Sequence, residues 1–171
     1  MALLKQIQQR YSVRAYQKRP VEKEKLETIL QAAQLAPSAK NIQEWRFIVV
    51  QDADTLTKLC VATNNQTFVG EAPVVIACCS TSADYVMRCG QLSYPIDVAI
   101  AMEHIALQAV EEGLGTCWVG SFYKDQVQAV LGIPPQIHVV GLLTMGYPAD
   151  KLRAKSRLPI EQIVCHERWK F

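Results

Sequence analysis

The chain has no block of about five or more like charges. Its 18 lysines and arginines against 16 aspartates and glutamates leave a formal net charge of only +2, so neither a nucleic acid nor an anionic membrane surface is an expected partner. It has no run of about 18 apolar residues, and no membrane-spanning helix is expected. Residues 1 to 9 lack the long apolar stretch of a secretory signal, which makes the cytoplasm the expected location. Six cysteines are present without a C-x-x-C pair, and several sit in apolar runs where a thiol acts as a small hydrophobe, so no disulfide is expected. His104, His138 and His166 are scattered, with none at i, i+4 from another ligand, and no metal site is expected. A P-loop lysine motif is missing, which excludes the usual ATP cradle. Gly113 and Gly115 follow a helical pattern and precede a strand, the reverse of a dinucleotide fingerprint, and Trp118 stands where the third glycine belongs. Neither Cys117 nor Cys165 lies in a Cys/His signature, so covalent thiol catalysis has no support.

What remains is a chain of 171 residues, 50% hydrophobic and 20% charged, which fits a single domain spanning residues 1–171. That length buries roughly 70% of the surface exposed by the unfolded chain. Leu3, Leu4, Ile7 and Tyr11 recur at helical spacing and predict a short helix ending near Arg10. Pro20 suits the opening turn of a second helix, whose buried stripe is Leu26, Ile29, Leu30 and Ala33 and which Pro37 stops. Ser38 to Gln43 is then a polar loop before a strand from Arg46 to Val50, predicted to be central because it is continuously apolar. Asp54 to Ala62 reads as a third helix, Pro73 to Cys79 as a second buried strand, and Ser80 to Ser93 as a polar link. Ile96 to Glu112 is apolar nearly all round, which predicts a central helix or one shared with a partner subunit, ended by a left-handed Gly113. Lys124 to Leu131 reads as a further helix capped by Gly132, and Ile137 to Met145 as the last long strand.

Helices and strands mix without strict alternation, which argues for an α+β domain with helices around one sheet. The tail from Arg168 to Phe171 places Trp169 and Phe171 at a terminus that ordinarily frays, and this predicts cover from a partner subunit.

Three clusters far apart in the chain carry the chemical signal: Arg10 to Arg14, Pro37 to Gln43, and Lys155 to Arg157. A phosphate dianion needs two or three fixed cations, because one charge-assisted hydrogen bond gives about 1.5 to 3 kcal/mol and a lone one is easily screened. Arg10, Ser12, Lys155 and Arg157 supply such a set if the fold brings them together. The Arg-x-Ser-x-Arg start, the Ala-Pro-Ser-x-x-Asn-x-Gln-x-Trp segment from Ala36 to Trp45, and the late Gly-Tyr-Pro followed by Lys-Ser-Arg-Leu-Pro resemble the FMN-dependent nitroreductase family in residues and in order.

The resemblance implies a central, mostly antiparallel sheet surrounded by helices, in an intertwined homodimer with FMN at the subunit interface. It implies that Arg10, Ser12, Lys155 and Arg157 hold the FMN phosphate, and that Arg14 faces the pyrimidine edge of the ring, where negative charge collects on reduction. Pro37, Ser38 and Asn41 correspond to ring and ribityl contacts made from the neighbouring subunit. Asn65 corresponds to the side chain reading the ring's polar edge, and Gly120 and Ser121 to the backbone against flavin N5. The implied activity is an oxidoreductase that takes hydride from NADH or NADPH and passes electrons to a nitroaromatic, quinone or similar small acceptor by a ping-pong mechanism. A flavin-binding or storage protein without turnover, or a flavin enzyme of other chemistry such as reductive dehalogenation, is the alternative. Catalytic side chains are not assigned, since flavin N5 is the reactive atom.

Two departures bear on the site. Glu44 stands where the family usually has proline and Ala39 where it often has serine, which predicts a less rigid loop and weaker cofactor binding. Ser80 to Tyr94 is short where larger relatives carry a helical excursion, and its Tyr85, Arg88 and Cys89 have no counterpart.

Overall fold

The computed structural model describes residues 3–152 and 154–171. Its centre is an antiparallel sheet of four strands, β1 (Trp45–Val50), β2 (Val74–Ser80), β3 (Gly115–Val119) and β4 (His138–Gly146), in the spatial order β1-β2-β4-β3. Helices α2 (Lys23–Gln34) and α5 (Tyr94–Glu111) cover one face, where Leu26, Ile29, Met102 and Ile105 pack on Ile76, Leu143 and Met145. Helices α3 (Ala53–Ala62), α4 (Thr67–Glu71) and α6 (Lys124–Leu131) cover the other, where Leu59, Val69 and Val127 pack near Val75, Ala77 and Leu142. A short α1 (Lys5–Gln9) precedes them. The α+β expectation and the antiparallel sheet both hold. Among the described residues no helix is long and apolar enough to cross a membrane.

Two expectations are corrected, and one short helix is unforeseen. Among the described residues strand β1 lies at the sheet edge and pairs with β2 alone. Its apolar run reflects two covered faces: Phe47 and Val49 pack into one helical layer, and Ile48 and Val50 into the other. Continuous apolarity therefore reports burial of faces and says nothing of how many edges are paired. Helix α2 starts at Lys23, because the chain stays extended through Glu22 (φ −64°, ψ 141°), leaving Pro20 outside. Helix α4 has only five residues, too few for a periodic pattern to show. The glycines after α5 and α6 take the left-handed conformation expected of them, with φ 75° at Gly113 and 63° at Gly132.

The stripe on α1 is not buried within its own protomer: Leu3, Leu4 and Ile7 are all exposed, and α1 has no buried residue. Nor do the tail aromatics fold onto the domain. Trp169 is 82% exposed and meets Phe171 edge to face at 5.0 Å.

The outer edge of β3 is occupied by the N-terminal segment. Val13 N–H donates to Thr116 O at 3.0 Å, and Val13 is fully buried. This approach requires Gly115, because a Cβ there collides with Val13 Cγ2 and comes within 3.0 Å of Pro148 Cγ. Gly115 is paired with Gly146, where a Cβ falls 2.9 Å from Tyr16 Cδ1. Two facing glycines thus open the slot through which residues 13 to 16 reach the sheet. Gly115→Ala is expected to destabilise the fold by about 1–3 kcal/mol through overpacking, read as a lower urea midpoint. Gly120→Ala, where nothing lies within 4 Å of the new Cβ, is the matched control and should shift little.

Candidate functional site

Helix α1 ends at Gln9, and Arg10 leaves it with φ −57° and ψ 130°, so the next residues run extended. Extended backbone points alternate side chains to opposite sides. Val13 faces the core, while Arg10, Ser12 and Arg14 line an open cleft. From the other end of the chain, Lys155 and Arg157 line the same cleft, whose volume is about 440 Å³. The five cationic and hydroxyl side chains that the sequence suggested for a phosphate and its ring are therefore brought together.

Asp150 joins the two ends. Tyr11 Oη donates to its carbonyl oxygen at 3.0 Å and to Oδ1 at 3.1 Å, and Arg14 N–H donates to Oδ2 at 2.9 Å. Lys155 Nζ donates to Ile7 O at 3.0 Å and Gln8 O at 2.6 Å, which occupies the free carbonyls at the end of α1. Arg10 Nε sits 3.3 Å from Glu103 Oε1 on α5. Among the described residues Arg157 Nη1 donates to its neighbour's carbonyl, Ser156 O, at 2.7 Å. Among the described residues no carboxylate forms an ion pair with the side chains of Arg14, Lys155 or Arg157. Desolvation, followed by the charges of Arg10 and Arg157, pushes the Lys155 pKa below that of a free lysine. Crowded like charges cost free energy unless an anion lies between them, and the cleft is lined by five cationic side chains against one carboxylate.

A second group of residues continues from Arg14. Its guanidinium carbon lies 5.8 Å from the centre of the Phe68 ring on α4. Asn65 lies two residues before α4, exposed and left-handed at φ 57°. Gln66 Nε2 donates to Ser121 O at 3.0 Å, tying that turn to Gly120 and Ser121 beyond β3. Pro37, Ser38 and Asn41 do not line the cleft of their own chain. They belong to a turn seated on α5, where Ala39 N–H donates to Asp97 Oδ2 at 3.1 Å and Gln43 N–H to Ser38 Oγ at 3.1 Å.

Sequence reasoning missed Tyr11 and Asp150. It placed Tyr11 on the α1 stripe, two residues past the last helical residue, Gln9, and Asp150 has no motif of its own. It also missed Gln66 and Phe68, which lie on or beside the unpredicted α4. Cys117 lies under the cleft beside Ser12, and burial raises its pKa, which keeps it a protonated, inert thiol.

Residues 7–62 and 61–147 match the family model described as Nitroreductase family. The chain belongs to the nitroreductase family. Among its relatives is a putative NADH dehydrogenase/NAD(P)H nitroreductase of Archaeoglobus fulgidus, 35% identical over 158 residues and covering 86% of each chain. An FMN reductase [NAD(P)H] of Bacillus subtilis is 28% identical over 178 residues, covering 94% of this chain and 72% of the relative. A nitroreductase family protein of Clostridium difficile 630 superposes with a TM-score of 0.88 at 34% identity, covering 99% of this chain and 100% of that one. The family match stops before Lys155 and Arg157, so the place of these two nitroreductase residues rests on the cleft geometry.

The Tyr11 pKa is raised to about 12, by burial first and then by the hydrogen bond and charge of Asp150. A negative neighbour disfavours the tyrosinate, so Asp150→Asn is expected to move this titration to lower pH. Ultraviolet titration against a Tyr11→Phe reference measures it, and an unmoved titration rejects the contact.

Proposed function

We propose that this nitroreductase is an FMN-dependent oxidoreductase that takes hydride from NADH or NADPH and passes electrons to a nitroaromatic, quinone or similar small acceptor in a ping-pong cycle. The observation that carries this reading is the gathering of Arg10, Ser12, Lys155 and Arg157 on one cleft with a surplus of positive charge. A phosphate monoester dianion matches that donor set in charge and in hydrogen-bonding capacity. The names of the relatives, NAD(P)H nitroreductase and FMN reductase, support FMN as the monoester and a nicotinamide as the reductant.

Bound FMN supplies ring nitrogen N5, which accepts hydride from one substrate and yields electrons to the next. The protein binds and orients. Arg10, Ser12, Lys155 and Arg157 grip the phosphate, and Lys155 comes already fixed by the α1 carbonyls. Arg14 faces the pyrimidine edge and stabilises negative charge there. Asn65 reads the ring's polar edge. Gly120 and Ser121 lie against N5, and open space around Gly120 lets a flat ring approach the backbone. Hydride transfer asks for no proton relay, so these roles are positional and electrostatic.

The working unit in this reading is a homodimer, with Pro37, Ser38 and Asn41 contributed across the interface. Support comes from their position away from their own cleft and from apolar surface that one protomer leaves bare. Leu4 and Leu107 line an apolar groove with Leu35, which is 80% exposed, and Ile160, Trp169 and Phe171 are exposed along the tail. The same reading puts the enzyme in the cytoplasm, acting on small molecules.

The purified protein should show flavin absorbance that NADH or NADPH bleaches anaerobically and an acceptor restores, with parallel double-reciprocal plots. A yellow protein that neither nicotinamide bleaches is a storage protein, and a colourless one that binds no added FMN overturns the reading. Arg157→Ala should weaken FMN binding by about ten- to a hundredfold, measured by fluorescence titration.

A further inference from the structure

The bearing of Arg14 is set by the main chain that carries it, and that chain is held at one peptide from both sides. The N–H and C=O of a trans peptide point in opposite directions. In the unit joining Val13 to Arg14, the Arg14 N–H donates to Asp150 Oδ2 at 2.9 Å, and the Val13 carbonyl accepts from Tyr16 Oη at 2.9 Å. The preceding unit is tied to β3, where Val13 N–H donates to Thr116 O at 3.0 Å.

Tyr16 is anchored in turn. Its hydroxyl lies 2.6 Å from Oγ1 of Thr144, a fully buried residue of β4. The Val13 carbonyl can only accept, so the phenol proton goes there and Thr144 Oγ1 donates to Tyr16 Oη. Cys117 O, the other acceptor beside Thr144 Oγ1, is at 3.4 Å and too long to compete. Thr144, Tyr16 and the Val13 carbonyl thus form one directed chain from the sheet interior to the segment lining the cleft, and each bond in such a chain strengthens the next. Burial raises the Tyr16 pKa, so the phenol keeps the proton it donates. A phenylalanine fills the space beside Gly146 equally well, and only the hydroxyl reaches Val13 O.

We propose that Tyr16 is a positioning residue: its hydroxyl, opposed by Asp150, clamps the Val13–Arg14 peptide and so aims the Arg14 side chain into the cleft. Its consequence for the cofactor rests on the flavin reading given above, in which Arg14 faces the pyrimidine edge of FMN. Without one of the two holds, the peptide plane turns about the soft dihedrals on either side of it, and the bearing of Arg14 is no longer fixed. The cation then leaves the place where negative charge collects on reduction, while Arg10, Ser12, Lys155 and Arg157 keep their grip on the phosphate. Asp150 also holds Tyr11, so Tyr16 is the cleaner probe of the clamp.

The test compares wild type with Tyr16→Phe, which keeps the ring against β4 and deletes the hydroxyl. In the full chain, protection of the Arg14 amide from hydrogen exchange should fall about tenfold, while that of the Val13 amide changes by less than about twofold. Because Tyr16 and Asp150 hold the same peptide, the effects of Tyr16→Phe and Asp150→Asn on the Arg14 amide should be less than additive. The midpoint potential of bound FMN should fall in Tyr16→Phe by about 30 mV, a tenfold loss of preference for the reduced form in a two-electron couple, with affinity for oxidised FMN changed less than about threefold. A tyrosine that only supports the fold loosens both amides together or neither, and either result overturns the clamp. If Tyr16→Phe does not fold, Thr144→Val, which removes the anchor of the phenol and keeps its shape, decides by the same two amides. If the Arg14 amide responds as expected but the potential stays level, the clamp stands and the place of Arg14 at the ring falls. If it responds and FMN does not bind wild type, the clamp stands and the flavin reading falls.

Discussion

The site depends on Asp150. Two cationic clusters separated by more than 130 positions in the chain repel each other. What holds them is a backbone return. Gln17 N–H bonds Tyr147 O at 2.9 Å, Ala149 N–H bonds Ala15 O at 2.8 Å, and the Asp150 carboxylate then takes Arg14 N–H and the Tyr11 hydroxyl. Hydrogen bonds to a charged group contribute about 1.5–3 kcal/mol each, whereas repulsion across solvated cations fades beyond roughly 8 Å at physiological salt. The local staple outweighs the diffuse repulsion. Because β3 and β4 already bring Thr116 and Tyr147 to one sheet edge, closing so long a loop adds little further entropy.

Once stapled, the cations are in place before any anion arrives. Lys155 is tethered by α1 carbonyls, Arg10 by Glu103, and Arg14 is set against Phe68. Little side-chain entropy then remains to be lost on binding, which favours affinity more than added contacts do. Desolvation and then the nearness of Arg10 and Arg157 hold the Lys155 pKa below that of a free lysine, which is a consequence of the same arrangement.

Much of this was legible in the sequence, and the exceptions have physical reasons. The period-two placing of Arg10, Ser12 and Arg14 around an apolar Val13 is an extended-chain pattern, and the cleft uses it that way. Long helices α2, α3 and α6 announced themselves through their apolar stripes. Strand β1 was misplaced to the sheet centre because hydropathy records covered faces and is blind to unpaired edges. Tyr11 fell into the α1 stripe because its i, i+4 spacing from Ile7 continues the pattern two positions past the last helical residue, Gln9. Asp150 was illegible for a different reason. It acts through Tyr11, 139 positions away in the chain, and such a pair leaves no local pattern.

Helix α5 connects these features. Glu103 holds Arg10 at the cationic cleft, and Asp97, six residues earlier on the same helix, holds the turn that carries Ser38 and Asn41. Six residues correspond to about 9 Å along a rigid helix, and the buried faces of α5 lock it to the sheet through Val98, Met102 and Ile105. In the proposed homodimer, the turn serves the neighbour's cofactor while Arg10 serves its own. A single helix in each subunit then sets the spacing between one cofactor's phosphate grip and the other's ring contact. A displacement of α5 cannot relax one site without straining the second, so the apolar helix fixes the geometry of both although none of its own side chains lines the cleft.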